Sequence, residues 1–207
     1  MSILPVTPTS LMPMSITTLN LKPIVTLTDD QFEILCQANP EIKFERSAQG
    51  ELIIVSPTGG ITGNRNFEIA AEFAIWNRQK RLGVCFDSST CFRLPNGADR
   101  SPDVAWITQS RWDALTPEQQ TRFPPICPDF VLELMSPSDR LSTVQEKMRE
   151  YQDNGARLGW LINPSEKQVE IYRRCQAEVT GLQNPSILSG EDVLPDFVLN
   201  LNLVWSN

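Results

Sequence analysis

The sequence predicts a single-domain α/β protein with a mixed central sheet flanked by helices. Three observations carry that prediction. At 207 residues, 41% hydrophobic and 21% charged, the chain has the size and composition of one globular domain with a substantial core. Its local patterns run α, β hairpin, α, β, β, β, α, β, β, an order that sets helices against a mixed sheet. The segment 129–163 reads strand, helix, strand, with the length of a right-handed βαβ crossover. A strand feeding such a crossover lies deep in the sheet.

Residues 1–25 are rich in Pro, Ser and Thr and predict a flexible tail ahead of one domain over 26–207. No basic residue precedes Lys22, so this stretch lacks the charged start of a secretory signal. Thr28-Asp29-Asp30-Gln31 is a capping box opening a short helix that Asn39-Pro40 ends. Ile42 and Phe44 alternate with Lys43 and Glu45, Gly50 turns the chain, and Leu52 to Val55 follow, so 41–56 predicts a hairpin. Ser56-Pro57-Thr58-Gly59-Gly60 is a loop.

Ile69, Phe73, Trp76 and Lys80 share one face of a helix expected over about 66–81, stopped by Gly83. Val84 to Leu94 reads as a strand, Asn96-Gly97 as a turn, and 103–108 as another strand. Residues 111–127 look like a surface excursion with a short helix. The apolar run 129–135 is a strand, and a helix over about 142–154 closes at Gly155. Residues 158–163 and 168–174 form strands around Pro164-Ser165-Glu166-Lys167, and 182–205 is strand and loop.

Composition excludes several chemistries. The chain has no histidine, which removes imidazole bases, Ser-His-Asp and Cys-His catalysis and His-ligated zinc. The five cysteines, Cys36, Cys85, Cys91, Cys127 and Cys175, are odd in number and hold no C-x-x-C spacing. They predict free thiols in a reducing cytoplasm rather than a disulfide framework. No apolar run approaches the ~20 residues that cross a bilayer, so no membrane partner is expected. A net charge of −7 gives no general nucleic-acid signal, though an acidic metal site and a basic groove can share one protein.

Within DFVLELMSPSD (129–139), Glu133 stands in an otherwise apolar strand. Val131, Glu133 and Met135 share one face, Leu132 and Leu134 the other, so both faces are covered and the carboxylate needs a specific partner. A second acid, Asp103, follows Pro102 and opens the strand VAWIT. In the helix after Glu133, Val144, Met148 and Tyr151 mark the apolar stripe. At about 100° per residue, Lys147 falls on its edge beside Tyr151 and can reach under the helix toward the sheet. Two carboxylates on neighbouring strands can hold Mg²⁺, and a lysine beside them can orient water or stabilise charge developing on a phosphate. That set suits metal-assisted phosphodiester hydrolysis without histidine.

Pro102-Asp103, then Glu133 in an apolar strand, then a lysine, resembles the PD-(D/E)xK nuclease superfamily. The wider chain is similar to a large family of restriction-endonuclease-like proteins abundant in cyanobacteria. The matching stretches are GELIIVSPTGG, DRSPDVAW, PDFVLELMSPSD, EKMREYQDNGARLGWLINP and VEIYR, spread over about residues 40–175. The resemblance implies a restriction-endonuclease-like fold with a mixed four-stranded core sheet, and Mg²⁺-dependent cleavage of DNA with Mn²⁺ as a substitute. It maps the metal ligands onto Asp103, Glu133 and the backbone carbonyl of Leu134. The usual lysine position, two residues after the Glu, holds Met135 here, and the resemblance moves that role to Lys147. Asn66, Glu68 and Glu72 on the first core helix, and Glu45 on the hairpin, are further polar options. Arg65, Arg78, Lys80, Arg81, Arg93 and Arg100 could neutralise phosphates. The family also implies a homodimer. The alternative is a non-catalytic DNA- or protein-binding module that keeps the nuclease fold.

Overall fold

A computed structural model describes residues 17–206, and the patterned segments become nineteen elements. The first part contains β1 (Thr17–Leu19), α1 (Asp29–Ala38), β2 (Lys43–Arg46), β3 (Leu52–Val55), α2 (Gly60–Lys80), β4 (Gly83–Asp87), β5 (Phe92–Arg93) and β6 (Asp99–Arg100). Next come β7 (Val104–Thr108), α3 (Gln109–Asp113), α4 (Pro117–Thr121), β8 (Phe130–Leu134), α5 (Leu141–Asp153) and β9 (Leu158–Asn163). The chain closes with β10 (Gln168–Arg173), β11 (Thr180–Gln183), β12 (Ile187–Ser189), β13 (Val198–Asn200) and α6 (Asn202–Trp205).

The central sheet runs β11-β10-β9-β8-β7-β4. Strands β8 and β9 are parallel and joined by α5, while the other neighbours are antiparallel, so the sheet is mixed. It has six strands rather than four, because the 158–173 hairpin and β11 extend it beyond β9. Both faces are covered. On one, Ile69, Phe73 and Trp76 of α2 pack with Trp106, Phe130 and Trp160. On the other, Val144, Met148 and Tyr151 of α5 pack with Val131, Met135 and Leu161. The strand that holds Glu133 is therefore buried along its whole length. Gly159 lets α5 lie close to the sheet, since a Cβ there would fall 2.6 Å from Met148 Cε.

A second sheet, β1-β3-β2-β6-β5, stands beside the first. Buried Arg46 ties it to α1, donating to Asp99 at 2.7 Å and to Asp29 at 2.6 Å. The capping box of α1 forms as the sequence predicts, with Thr28 and Gln31 bonded reciprocally. Gly50 turns the β2–β3 hairpin at φ 84°, a conformation glycine adopts without strain.

Four boundaries differ from expectation. The flexible tail expected over 1–25 lies outside the described residues for 1–16, but residues 17–19 pair along β3, whose ladder was open to them, and Leu21 and Leu27 pack on the Phe32 cluster. Helix α2 starts at Gly60 rather than near 66, because glycine and asparagine hide a turn that the buried Thr62 anchors. The expected strand over 84–94 breaks after Asp87, whose carboxylate accepts from Ser89 N–H at 3.0 Å and turns the chain into the second sheet. The excursion over 111–127 carries two short helices, the second opened by a Thr116–Gln119 capping box. Among the described residues no helix is long and apolar enough to cross a membrane.

Candidate active site

The β7–β8 register pairs Val104 with Leu132. One residue further it sets Asp103 opposite Glu133, where β7 begins and β8 ends. The same register sets Leu134 opposite Pro102, and the Leu134 N–H is taken by Asp103 Oδ2 at 2.8 Å. Asn66 of α2 holds the other oxygen, Nδ2 to Oδ1 at 3.3 Å.

Helix α5 supplies the cation. Its apolar stripe packs on the sheet, which brings the flanking Lys147 over Glu133. Lys147 Nζ lies 2.9 Å from Glu133 Oε1 and 2.8 Å from Glu45 Oε1. One turn on, Tyr151 donates its hydroxyl to Glu133 Oε1 at 3.0 Å. Glu45, on β2, also accepts from Ser101 N–H at 3.0 Å and from Arg100 Nη1 at 3.2 Å. Arg100 in turn bonds Glu150 at 2.5 Å. Apart from the buried Tyr151, these groups line a cleft of about 610 Å³ walled by β2 and β3, the start of α2, the ends of β7 and β8, and α5.

The two glutamates bonded to Lys147 are pushed in opposite directions in proton affinity. Glu45 is 3% exposed and Glu133 8%. Burial pushes the Glu133 carboxyl up to about 7; Lys147 opposes this, while the charges of Asp103 and Glu45 reinforce it. Burial acts the same way on Glu45, but Lys147, Arg100 and Lys43 outweigh it and hold that carboxyl at about 2. Burial also pushes Asp103 up against the pull of the Leu134 N–H. Burial alone would lower the Lys147 ammonium, yet Glu133 and Glu45 hold it above the usual lysine range.

Whether Mg²⁺ suits these residues turns on the donor set. Among the described residues no cluster of three or more acidic or sulfur side chains forms a ready metal cage. Mg²⁺ does not need one, because it binds through one or two carboxylates and keeps waters and substrate phosphate oxygens. Asp103 and Glu133 supply two such carboxylates. Asn66 Oδ1, buried beside Asp103 and without a hydrogen-bond partner among the described residues, is an oxygen available to a bound water. The residues present therefore fit the ion.

The structure brings Asp103, Glu133, Leu134 and Lys147 to one cleft. Asn66 and Glu45 join them there, whereas Glu68 and Glu72 do not line it. Met135 is buried in the core under α5. Several expected phosphate contacts are already engaged: Arg93 bonds Asp99, Arg100 bonds Glu45 and Glu150, and Lys80 bonds Asp196. Arg78 and Arg81 are exposed, and Arg65 is half-buried. The part played by Tyr151 was hidden, because its ring fits the apolar stripe while its hydroxyl reaches the acid. Its i, i+4 spacing from Lys147 was the available signal.

Residues 29–202 match the family Uma2, described as "Putative restriction endonuclease". The crystal structure of "a putative nuclease belonging to DUF820" from Anabaena variabilis superposes with a TM-score of 0.73 at 21% identity, covering 87% of this chain and 98% of that one. That likeness shows the restriction-endonuclease-like fold. No curated relative matches the chain. With its match running from the first helix to the last, the chain belongs to the Uma2 family.

Proposed function

We propose that the chain is a Mg²⁺-dependent endodeoxyribonuclease, with Mn²⁺ as a substitute ion. One observation carries the reading: the half-buried carboxylate of Asp103 and the buried one of Glu133 line the same cleft as a lysine held 2.9 Å from Glu133. The family description and the name of the structural neighbour support it. Asp103, Glu133 and the Leu134 carbonyl would hold the ion. When bound, Mg²⁺ supplies Lewis-acid polarisation of the phosphate and makes a water more acidic.

The chain's own residues do the rest. Lys147 is held protonated, so it acts as a hydrogen-bond donor rather than a base, positioned to orient the attacking water or to stabilise charge developing on the phosphate. Glu45 anchors that ammonium from the other side, so it keeps a partner when Glu133 serves the ion. Tyr151 fixes the Glu133 rotamer. Two strands of a duplex need two such sites, and we infer a homodimer, which light scattering would measure. The free thiols suit a cytoplasmic protein.

The test is cleavage of supercoiled plasmid in Mg²⁺, in Mn²⁺ and in EDTA, beside Asp103→Asn and Lys147→Met, with a nucleotide hydrolysis control. Metal-dependent nicking lost in both variants is expected. Nucleotide hydrolysis without plasmid cleavage would overturn the reading, as would cutting that survives EDTA.

A further inference from the structure

The cleft carries a charge problem that the catalytic set does not resolve. Eight carboxylates line it against three cations, Lys43, Arg100 and Lys147. A polyanion entering such a cleft is repelled except where a cation with free capacity meets it. Two of the three cations are committed. Lys147 bonds Glu45 and Glu133, and Arg100 bonds Glu45 and Glu150. Lys43 is different. Among the described residues its Nζ has one polar contact, the Ser101 carbonyl at 3.5 Å, at the outer limit of a hydrogen bond, and it forms no ion pair with them.

The position of Lys43 is specific. It precedes Glu45 by two on β2, so both project from the same face of the hairpin into the cleft. Ser101, its weak partner, lies two residues before Asp103. The charge of Lys43 reaches both Glu45 and Asp103. The half-buried ammonium thus stands at the edge of the acid pair with donors to spare.

We propose that Lys43 is the phosphate-binding residue of the cleft, donating to a backbone phosphate oxygen of the nucleic-acid strand beside the site of cleavage. This rests on the nuclease reading of the same site. The competing role, a cation that merely neutralises nearby acids, would change metal affinity and stability but not the salt dependence of DNA binding.

The experiment measures anisotropy of a fluorescein-labelled DNA oligonucleotide, with Ca²⁺ in place of Mg²⁺, between about 50 and 200 mM salt. Lys43→Met should weaken binding about ten- to hundredfold at the low-salt end, the loss of one charge-assisted hydrogen bond. It should make the slope of log K against log[salt] shallower by about 0.7–0.9, one phosphate contact. Lys43→Arg should restore both, and Mn²⁺ affinity by calorimetry should stay within about twofold of wild type. An unchanged slope in Lys43→Met overturns the assignment while leaving the nuclease reading intact. Wild-type protein that binds no DNA overturns both. Lys43→Gln repeats the measurement should the methionine variant not fold.

Discussion

Replacing Lys147 by methionine tests the electrostatic centre of the cleft. The change keeps the stem that covers Tyr151, whose ring centroid lies 5.9 Å from Nζ, and removes the ammonium between Glu45 and Glu133. Two carboxylates, 3% and 8% exposed, lose a common partner. Taking one member from a buried ion pair costs about 3–5 kcal/mol. Glu45 keeps Arg100 and the Ser101 N–H, so most of the penalty falls on Glu133, left with the Tyr151 hydroxyl. Glu133 can escape it by taking a proton, since its carboxyl already lies at about 7 with the lysine present. The loss should therefore approach about 3–5 kcal/mol at pH 8 and fall to roughly half at pH 5. For a chain of this length that is a drop in Tm of about 10 °C at pH 8. Urea denaturation at the two pH values measures it, and Lys147→Met/Glu133→Gln should recover about half of the pH 8 loss by neutralising the stranded acid. A pH-independent loss below about 0.5 kcal/mol would mean that Nζ stands in water, and the proposed site would fall.

Three further outcomes follow from the same geometry. Asp103→Asn keeps an oxygen for the Leu134 N–H, so stability should hold within about 1 kcal/mol while calorimetry shows Mn²⁺ binding lost. Gly159→Val should push α5 off the sheet through Met148, costing about 1–3 kcal/mol and depressing cleavage at least tenfold, because Lys147 moves with the helix. The folded-state value of Glu133 is raised from 4.5 to about 7, so its contribution is fully present below 4.5 and is lost as pH rises through 7. Metal-free Glu133→Gln should thus gain on wild type across that window, by up to about 3 kcal/mol above pH 7, in urea titrations at stepped pH.

Much of this architecture was legible because it is local. The Thr28 capping box, the Gly50 hairpin and the βαβ unit around α5 each announce themselves within a few residues. Glu133 was legible for the opposite reason, as a charge where strand periodicity demands apolar side chains on both faces. Lys147 could be placed by helix angle alone, since one turn of helix fixes which side chains flank the buried stripe. What stayed hidden depends on distant pairing. No spacing announces that β2 carries Glu45 to the same ammonium, 102 residues away. Nothing local shows that Arg93 and Arg100 are consumed by Asp99, Glu45 and Glu150 rather than left for phosphate. The start of α2 was obscured because its glycines carry weak helix propensity while tertiary burial of Thr62 decides the matter.

The most direct test of the central claim is anomalous diffraction from a crystal grown with Mn²⁺. The account predicts one peak shared by Asp103 and Glu133, with Lys147 still bonded to Glu45, and loss of that peak in Asp103→Asn. A peak elsewhere in the cleft, or none at Mn²⁺ concentrations that support DNA cleavage, would contradict it.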